Sequence, residues 1–167
     1  YYEPYFQRDP AVMDTMLTAL RTDFVQHMKG TVPQYYLSHL QKKLAEVYMR
    51  GVMETEWHDR LQQENTAMVR FFWQNEASAK PFKQVFTEKT AYEYMMAEED
   101  STRYNHSKLS QCELSRYIRP NLRHDAAKSQ QQRQEVDNML VPYMGQVQAG
   151  QKIVDRGQIV DNYTYNV

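Results

Sequence analysis

The run Asp9-Pro10-Ala11-Val12-Met13-Asp14-Thr15-Met16-Leu17-Thr18-Ala19-Leu20, continuing through Phe24 and Met28 to Gly30, decides the fold class. Asp9 is an N-cap acid, able to accept from the free amides of a first helical turn. Proline next to it has no N–H to leave unsatisfied. Val12, Met16, Leu20, Phe24 and Met28 recur every four residues, joined by Met13 and Leu17, and Gly30 supplies a stop. Thr31 with Pro33 restarts the pattern, and Tyr36, Leu37, Leu40, Leu44, Val47 and Tyr48 line one face until Gly51. Two amphipathic helices with so short a connection predict an antiparallel hairpin.

Beyond Gly51 the periods change. Val52 to Asn65 is mixed in character, and Ala67-Met68-Val69-Arg70-Phe71-Phe72-Trp73 alternates with period two, which predicts a strand. Ala67, Val69, Phe71 and Trp73 are expected on its buried face and Arg70 on the other. Gln74 to Pro81 reads as a polar turn, and Phe82 to Phe86 as a strand pairing back. Thr87 is expected to cap a helix carrying Ala91, Tyr94 and Met95. Asp100 to His106 reads as a loop anchored by Tyr104, and Ser107 to Tyr117 as a short helix ending before Arg119-Pro120. Asp125 is the next N-cap, opening a surface helix to Leu140 whose Gln130-Gln131-Gln132 is a solvated face.

The C-terminal segment carries a near-duplication. Gly150-Gln151-Lys152-Ile153-Val154-Asp155 is followed, after Arg156, by Gly157-Gln158-Ile159-Val160-Asp161. β-Branched pairs punctuated by glycine predict short strands joined by tight turns. Arg50-Gly51-Val52-Met53 echoes the motif, so Gly51 is a candidate turn into a strand pairing with the C-terminal one. The fold class expected is α+β, predominantly helical: a helical hairpin plus a small antiparallel sheet that includes the Gly-punctuated C-terminal strands, in one domain over 1–167.

Composition narrows the function. Twenty Lys and Arg stand against 21 Asp and Glu, a net charge of -1, which argues against a nucleic-acid binder held by phosphate contacts. Leu, Ile, Val and Phe number 32 of 167, a low share that 13 tyrosines and 10 methionines make up in apolar bulk. No stretch approaches the roughly 20 apolar residues of a membrane span, and no signal segment opens the chain. The chain starts at Tyr1-Tyr2 and stops at Val167 as an excised piece of something longer would. The lone Cys112 cannot form an internal disulfide and fits either redox compartment.

Few residues suggest chemistry. His58-Asp59 and His124-Asp125 repeat the His-Asp dipeptide of metal-dependent phosphohydrolases, but no second His at a fixed helical spacing accompanies either, and surface residues are the better reading. Cys112, on the apolar face of a short helix, reads as a core residue rather than a nucleophile. Tyr1, Tyr2, Tyr5, Tyr35, Tyr36, Tyr163 and Tyr165 lie near predicted element ends, where a carbohydrate- or peptide-binding surface competes with ordinary core and rim work, the reading favoured here. No phosphate cradle, nucleophile elbow, Cys-x-x-Cys or His-Glu-x-x-His pattern occurs. From the residues alone this is a non-catalytic α+β module.

Tyr117 to Asp125, Arg133-Gln134-Glu135, Val141-Pro142-Tyr143, and Gly145 to Gly157 together resemble the extracellular domain of the seven-transmembrane HD-hydrolase receptors. The shared pattern is a Pro-Asn-Leu turn two residues before an Asp, a helix with Arg-x-Glu, a Val-x-Pro exit and a Gly-x-x-Ile-Val-x-x-Gly tail. His124 stands where an aromatic is expected, and Ser129 where a threonine is. The resemblance implies an extracytoplasmic sensory or regulatory domain, placed outside a bacterial cytoplasmic membrane and followed by a bundle of membrane helices. A cytoplasmic HD domain hydrolysing cyclic di-AMP would follow, and the divalent metal ions belong there, with no cofactor in this part. Pro120, Asn121, Asp125, Gly150, Ile153, Val154, Arg156 and Gly157 are then the family-motif and coupling candidates. The partners implied are the chain's own membrane bundle and an extracytoplasmic ligand or protein. The competing readings are a secreted or periplasmic interaction module and a free-standing metal hydrolase using a His-Asp dipeptide.

Overall fold

Asp9 caps the first helix as expected: its carboxylate accepts from the Ala11 amide at 2.9 Å, and Pro10 opens α1, Pro10–Asp23. The computed structural model describes residues 3–98, 100–144, 159–162 and 164–165. Its residues group into two compact units, Glu3–Asp125 and a second that contains Ala126–Val167.

In the first unit α1 runs into one wider turn, Phe24–Met28, closed by the Lys29 amide on the Phe24 carbonyl. A strict four-residue recurrence drifts by about 40° per repeat around a 3.6-residue helix. The wider turn brings Phe24 and Met28 back onto the face that buries Met16 and Leu20. Helix α2, Tyr35–Arg50, buries all six predicted residues and ends where Gly51 adopts φ 100°. Leu17 and Arg21 of α1 share a surface with Gln41 and Lys42 of α2, so the two form the predicted antiparallel hairpin.

Sequence reading misses several elements. Val52 to Asn65 contains α3, Thr55–Gln63, on which Trp57 and Leu61 follow Met53 at four-residue intervals into the core. Tyr5–Arg8 forms β1, in the middle of a four-stranded sheet of order β3-β2-β1-β4. Strand β2, Met68–Trp73, pairs parallel to β1 with Phe6 opposite Phe71; β4, Leu122–His124, pairs antiparallel to β1 with Phe6 opposite His124. The sheet is therefore mixed rather than wholly antiparallel.

Several expected boundaries shift. In β2 only Val69 and Phe71 are fully buried; Ala67 precedes the strand and is exposed, and Trp73 is exposed beside the Gln74-Asn75 turn. Residues 76–81, expected as a turn, form β3, Glu76–Pro81; a strand paired on one side only needs no apolar face. Phe82–Gln84 is a 3₁₀ turn, and beyond it Phe86 bridges Val52. The C-terminal partner expected for Val52 lies outside the described residues. Thr87 and Thr90 form a reciprocal capping box that starts α4, Glu88–Met96. The predicted helix from Ser107 to Tyr117 is broken into α5, His106–Gln111, and a 3₁₀ turn, Leu114–Tyr117, because Glu113 takes φ 50° between them.

The helical core holds Leu20, Phe24, Tyr36, Leu40, Leu44, Tyr48, Met95 and Tyr117 among others; a second core of Phe6, Leu61, Val69, Phe71 and Leu122 lies on the sheet. In the second unit α6, Ala126–Met144, runs past the expected end at Leu140 and across Pro142, so Val141-Pro142 falls inside the helix. Strands β5, Ile159–Asn162, and β6, Thr164–Tyr165, pair with each other in a sheet of their own, separate from the main one. Gly150, Ile153, Val154, Arg156 and Gly157 lie outside the described residues. The class is α+β, predominantly helical.

Candidate functional site

The sequence motif Pro120-Asn121-Leu122 sits where the hairpin, the sheet and the chain's first strand meet. Asn121 is buried and uses both ends of its amide. Its Nδ2 donates to the Tyr48 carbonyl at 3.0 Å, and its Oδ1 accepts from the Val52 amide at 2.8 Å. Its own backbone donates to the Val52 carbonyl at 3.1 Å and accepts from the Asp9 amide at 2.9 Å. One residue thus joins the last turn of α2, the segment after Gly51, and the N-cap of α1.

Gly51 allows this meeting. Its φ of 100° is one that side chains rarely adopt, and an added Cβ would lie 2.8 Å from Leu122 Cδ1 and 2.9 Å from Phe71 Cζ. Tyr48 extends the network. Its hydroxyl donates to the Tyr117 carbonyl at 2.5 Å and accepts from the Arg119 amide at 3.2 Å. Burial pushes the Tyr48 hydroxyl up to about 12, so it stays protonated. The Tyr117 hydroxyl in turn donates to Asp23 at the end of α1 at 2.6 Å, and burial, followed by that bond, raises its pKa as well. Both ends of α1 and the end of α2 are therefore tied to the segment 117–122.

That segment leads through β4 to Asp125, whose amide donates to the Tyr5 carbonyl at 2.9 Å and whose carboxylate accepts from Gln7 Nε2 at 3.2 Å. Ala126 then opens α6. Of the eight motif candidates, the structure brings Asn121 and Asp125 into one hydrogen-bonded path through β1 and β4, with Pro120 at its head; the other five fall on residues not described. Capacity to donate and accept along this path is used within the fold, an arrangement suited to holding two helices and a strand in register.

The His-Asp dipeptides are not bare surface residues. The His124 ring stacks on Trp57 with centroids 3.9 Å apart and meets Phe6 edge-on at 5.2 Å; His58 lies against Phe82 at 4.7 Å. His124 thus fills an aromatic's place, which accounts for its standing where an aromatic is expected. Sequence reading lacks this because α3, which supplies Trp57, was not foreseen. Its signal was the four-residue spacing of Met53, Trp57 and Leu61. Among the described residues no group of three or more His, Cys, Asp or Glu could hold a metal. Cys112 is buried and its thiol is pushed up to about 11, which fits a core residue.

Burial is the largest cause lowering both His58 and His124 below the ordinary imidazole value. The folded protein then binds these protons more weakly than the unfolded chain. The stability they contribute is complete above about pH 6.5 and is lost as pH falls through that value toward the lower folded pKa. The urea midpoint is expected to drop between about pH 7 and pH 5, and His124→Phe, which cannot be protonated, to drop less. Equal losses in the two proteins would contradict this.

The whole of residues 2–167 matches the family described as 7TM-HD extracellular. The chain belongs to that family. No curated protein and no solved structure matches it. This 7TM-HD extracellular domain contains, among its described residues, no helix long and apolar enough to cross a membrane. The extracytoplasmic placement follows from the family, and the Asn121 network is the part of its motif that the fold turns into a defined set of contacts.

Proposed function

We propose that the domain is the sensory and regulatory part of a membrane-anchored HD-type phosphodiesterase acting on cyclic di-AMP, and is not itself catalytic. The observation that carries this reading is the family match over residues 2–167. The hydrogen bonding of 117–125 supports it: these residues tie α1, α2 and β1 together immediately before α6, so a change in the helical hairpin has a covalent and hydrogen-bonded route to the C-terminal segment. A ligand that binds one of two arrangements better than the other shifts the equilibrium by that difference in affinity. Gly150, Ile153, Val154, Arg156 and Gly157 are the proposed coupling residues between α6 and the membrane bundle.

The test uses the full-length parent in membranes, assayed for cyclic di-AMP hydrolysis. Gly157→Val and Arg156→Ala are expected to change the hydrolysis rate by at least about threefold, with the membrane level of the protein unchanged. A parent without cyclic di-AMP hydrolysis, or with rates indifferent to both substitutions, would refute the reading. In the second reading, a secreted or periplasmic interaction module, the reading frame stops soon after Val167 and no hydrolase accompanies the domain.

A further inference from the structure

The geometry points to a binding site for a zwitterionic small molecule, a free amino acid or short peptide, in the groove between α2 and the end of α4. The groove is open to solvent and offers about 450 Å³, and His39, Lys42, Lys43, Glu98, Asp100 and Tyr104 are among the residues lining it. That volume suits one amino acid or a dipeptide. The inference rests on the reading of the domain as a sensory one and names what it senses.

Both signs of charge line this groove. The Glu98 side chain is nine-tenths buried; its Oε2 meets His39 Nε2 at 2.9 Å and Lys43 Nζ at 3.6 Å. Its Oε1 has no partner among the described residues. Lys43 is otherwise occupied, donating to the Tyr94 and Ala97 carbonyls at 2.7 Å each and lying over the Tyr94 ring, so it clamps the end of α4. Asp100 accepts through Oδ1 from the Thr102 hydroxyl and from the Thr102 and Arg103 amides, and the Thr102 hydroxyl leads the causes that hold its pKa below the ordinary value. Its Oδ2 is left over. Lys42 is exposed and carries no ion pair or hydrogen bond among the described residues.

The aromatic wall is held in advance. The Tyr104 ring stacks on His39 at 3.9 Å and is met by the edges of Tyr35 and Tyr36, while Tyr35 donates to the Arg103 carbonyl. A ligand ammonium placed on Glu98 Oε1 and Asp100 Oδ2 leaves its carboxylate for Lys42 and its side chain for Tyr104. A ligand with one charge alone would satisfy one side and strip water from the other without return, which costs binding energy. The site therefore selects for both charges at once.

The experiment is an NMR titration of the 1–167 chain with the common amino acids and alanine-containing dipeptides, each beside its N-acetyl and C-amide forms, up to about 10 mM. At least one zwitterion is expected to give saturable shifts at His39, Lys42 and Tyr104. N-acetylation and amidation are each expected to weaken it by at least about tenfold. In Lys42→Gln, a change at an exposed and unpaired side chain, the zwitterion and its amide are expected to bind alike. No saturable shift from any probe, equal binding of the acetylated form, or an undiminished amide penalty in Lys42→Gln would overturn the site. Because binding is read on the domain itself, its failure leaves the phosphodiesterase reading standing, and a parent without hydrolysis leaves the binding result intact.

Discussion

Asn121→Leu is expected to lower the unfolding free energy by about 3 kcal/mol, because it leaves two buried backbone groups without partners at about 1–3 kcal/mol each. Those groups are the Val52 amide and the Tyr48 carbonyl, both on residues sealed from water. Leucine keeps the branched outline of asparagine but is bulkier, so some overpacking adds to the loss of the two hydrogen bonds at this buried site. Urea denaturation followed by far-ultraviolet circular dichroism reads the change directly. A loss below about 0.5 kcal/mol would mean that water replaces both bonds and that the turn is not the junction argued here. Since the same amide joins α2 to the segment that precedes α6, the substitution is also expected to lower amide-exchange protection in both the hairpin's last turn and β4, not in β3.

Gly51→Ala is expected to cost about 2–4 kcal/mol, the sum of backbone strain and overpacking. The positive φ accounts for one part, and the new methyl group, within 3 Å of Leu122 and Phe71, for the other. Gly30 separates the two. It has φ 107° with nothing within 4 Å of an added Cβ, so Gly30→Ala carries the strain alone. The loss of unfolding free energy in Gly51→Ala is therefore expected to exceed that in Gly30→Ala by at least about 1 kcal/mol. Equal shifts would mean that Leu122 and Phe71 move aside without penalty, and that the close approach of α2 to the sheet is loosely held.

Local signals carried the helical half of the domain. The Asp9-Pro10 start, the Thr87 cap and the apolar spacing of α1, α2 and α4 each lie within a few residues of one another, and each survives in the structure. Strand β1 offers no such signal. Its four residues earn their place by pairing with Arg70–Phe72 on one side and Leu122–His124 on the other, partners remote in sequence. Strand β3 was missed for the opposite reason: paired only with β2, its Ala-Ser-Ala-Lys stretch shows no apolar alternation.

The candidate site divides along the same line. That 117–125 carries a family pattern is legible in the residues themselves, as is the glycine at 51. The two-handed bonding of Asn121, the use of His124 as an aromatic on Trp57, and the spending of Lys43 on the last carbonyls of α4 depend on groups brought together across the chain. Sequence by itself determined the class, the hairpin and the family, because periodicity and capping act over one or two turns of backbone. Only tertiary structure decided which polar side chains are consumed inside the fold and which, like Lys42, are left to meet a ligand, because hydrogen-bond satisfaction is settled by neighbours in space.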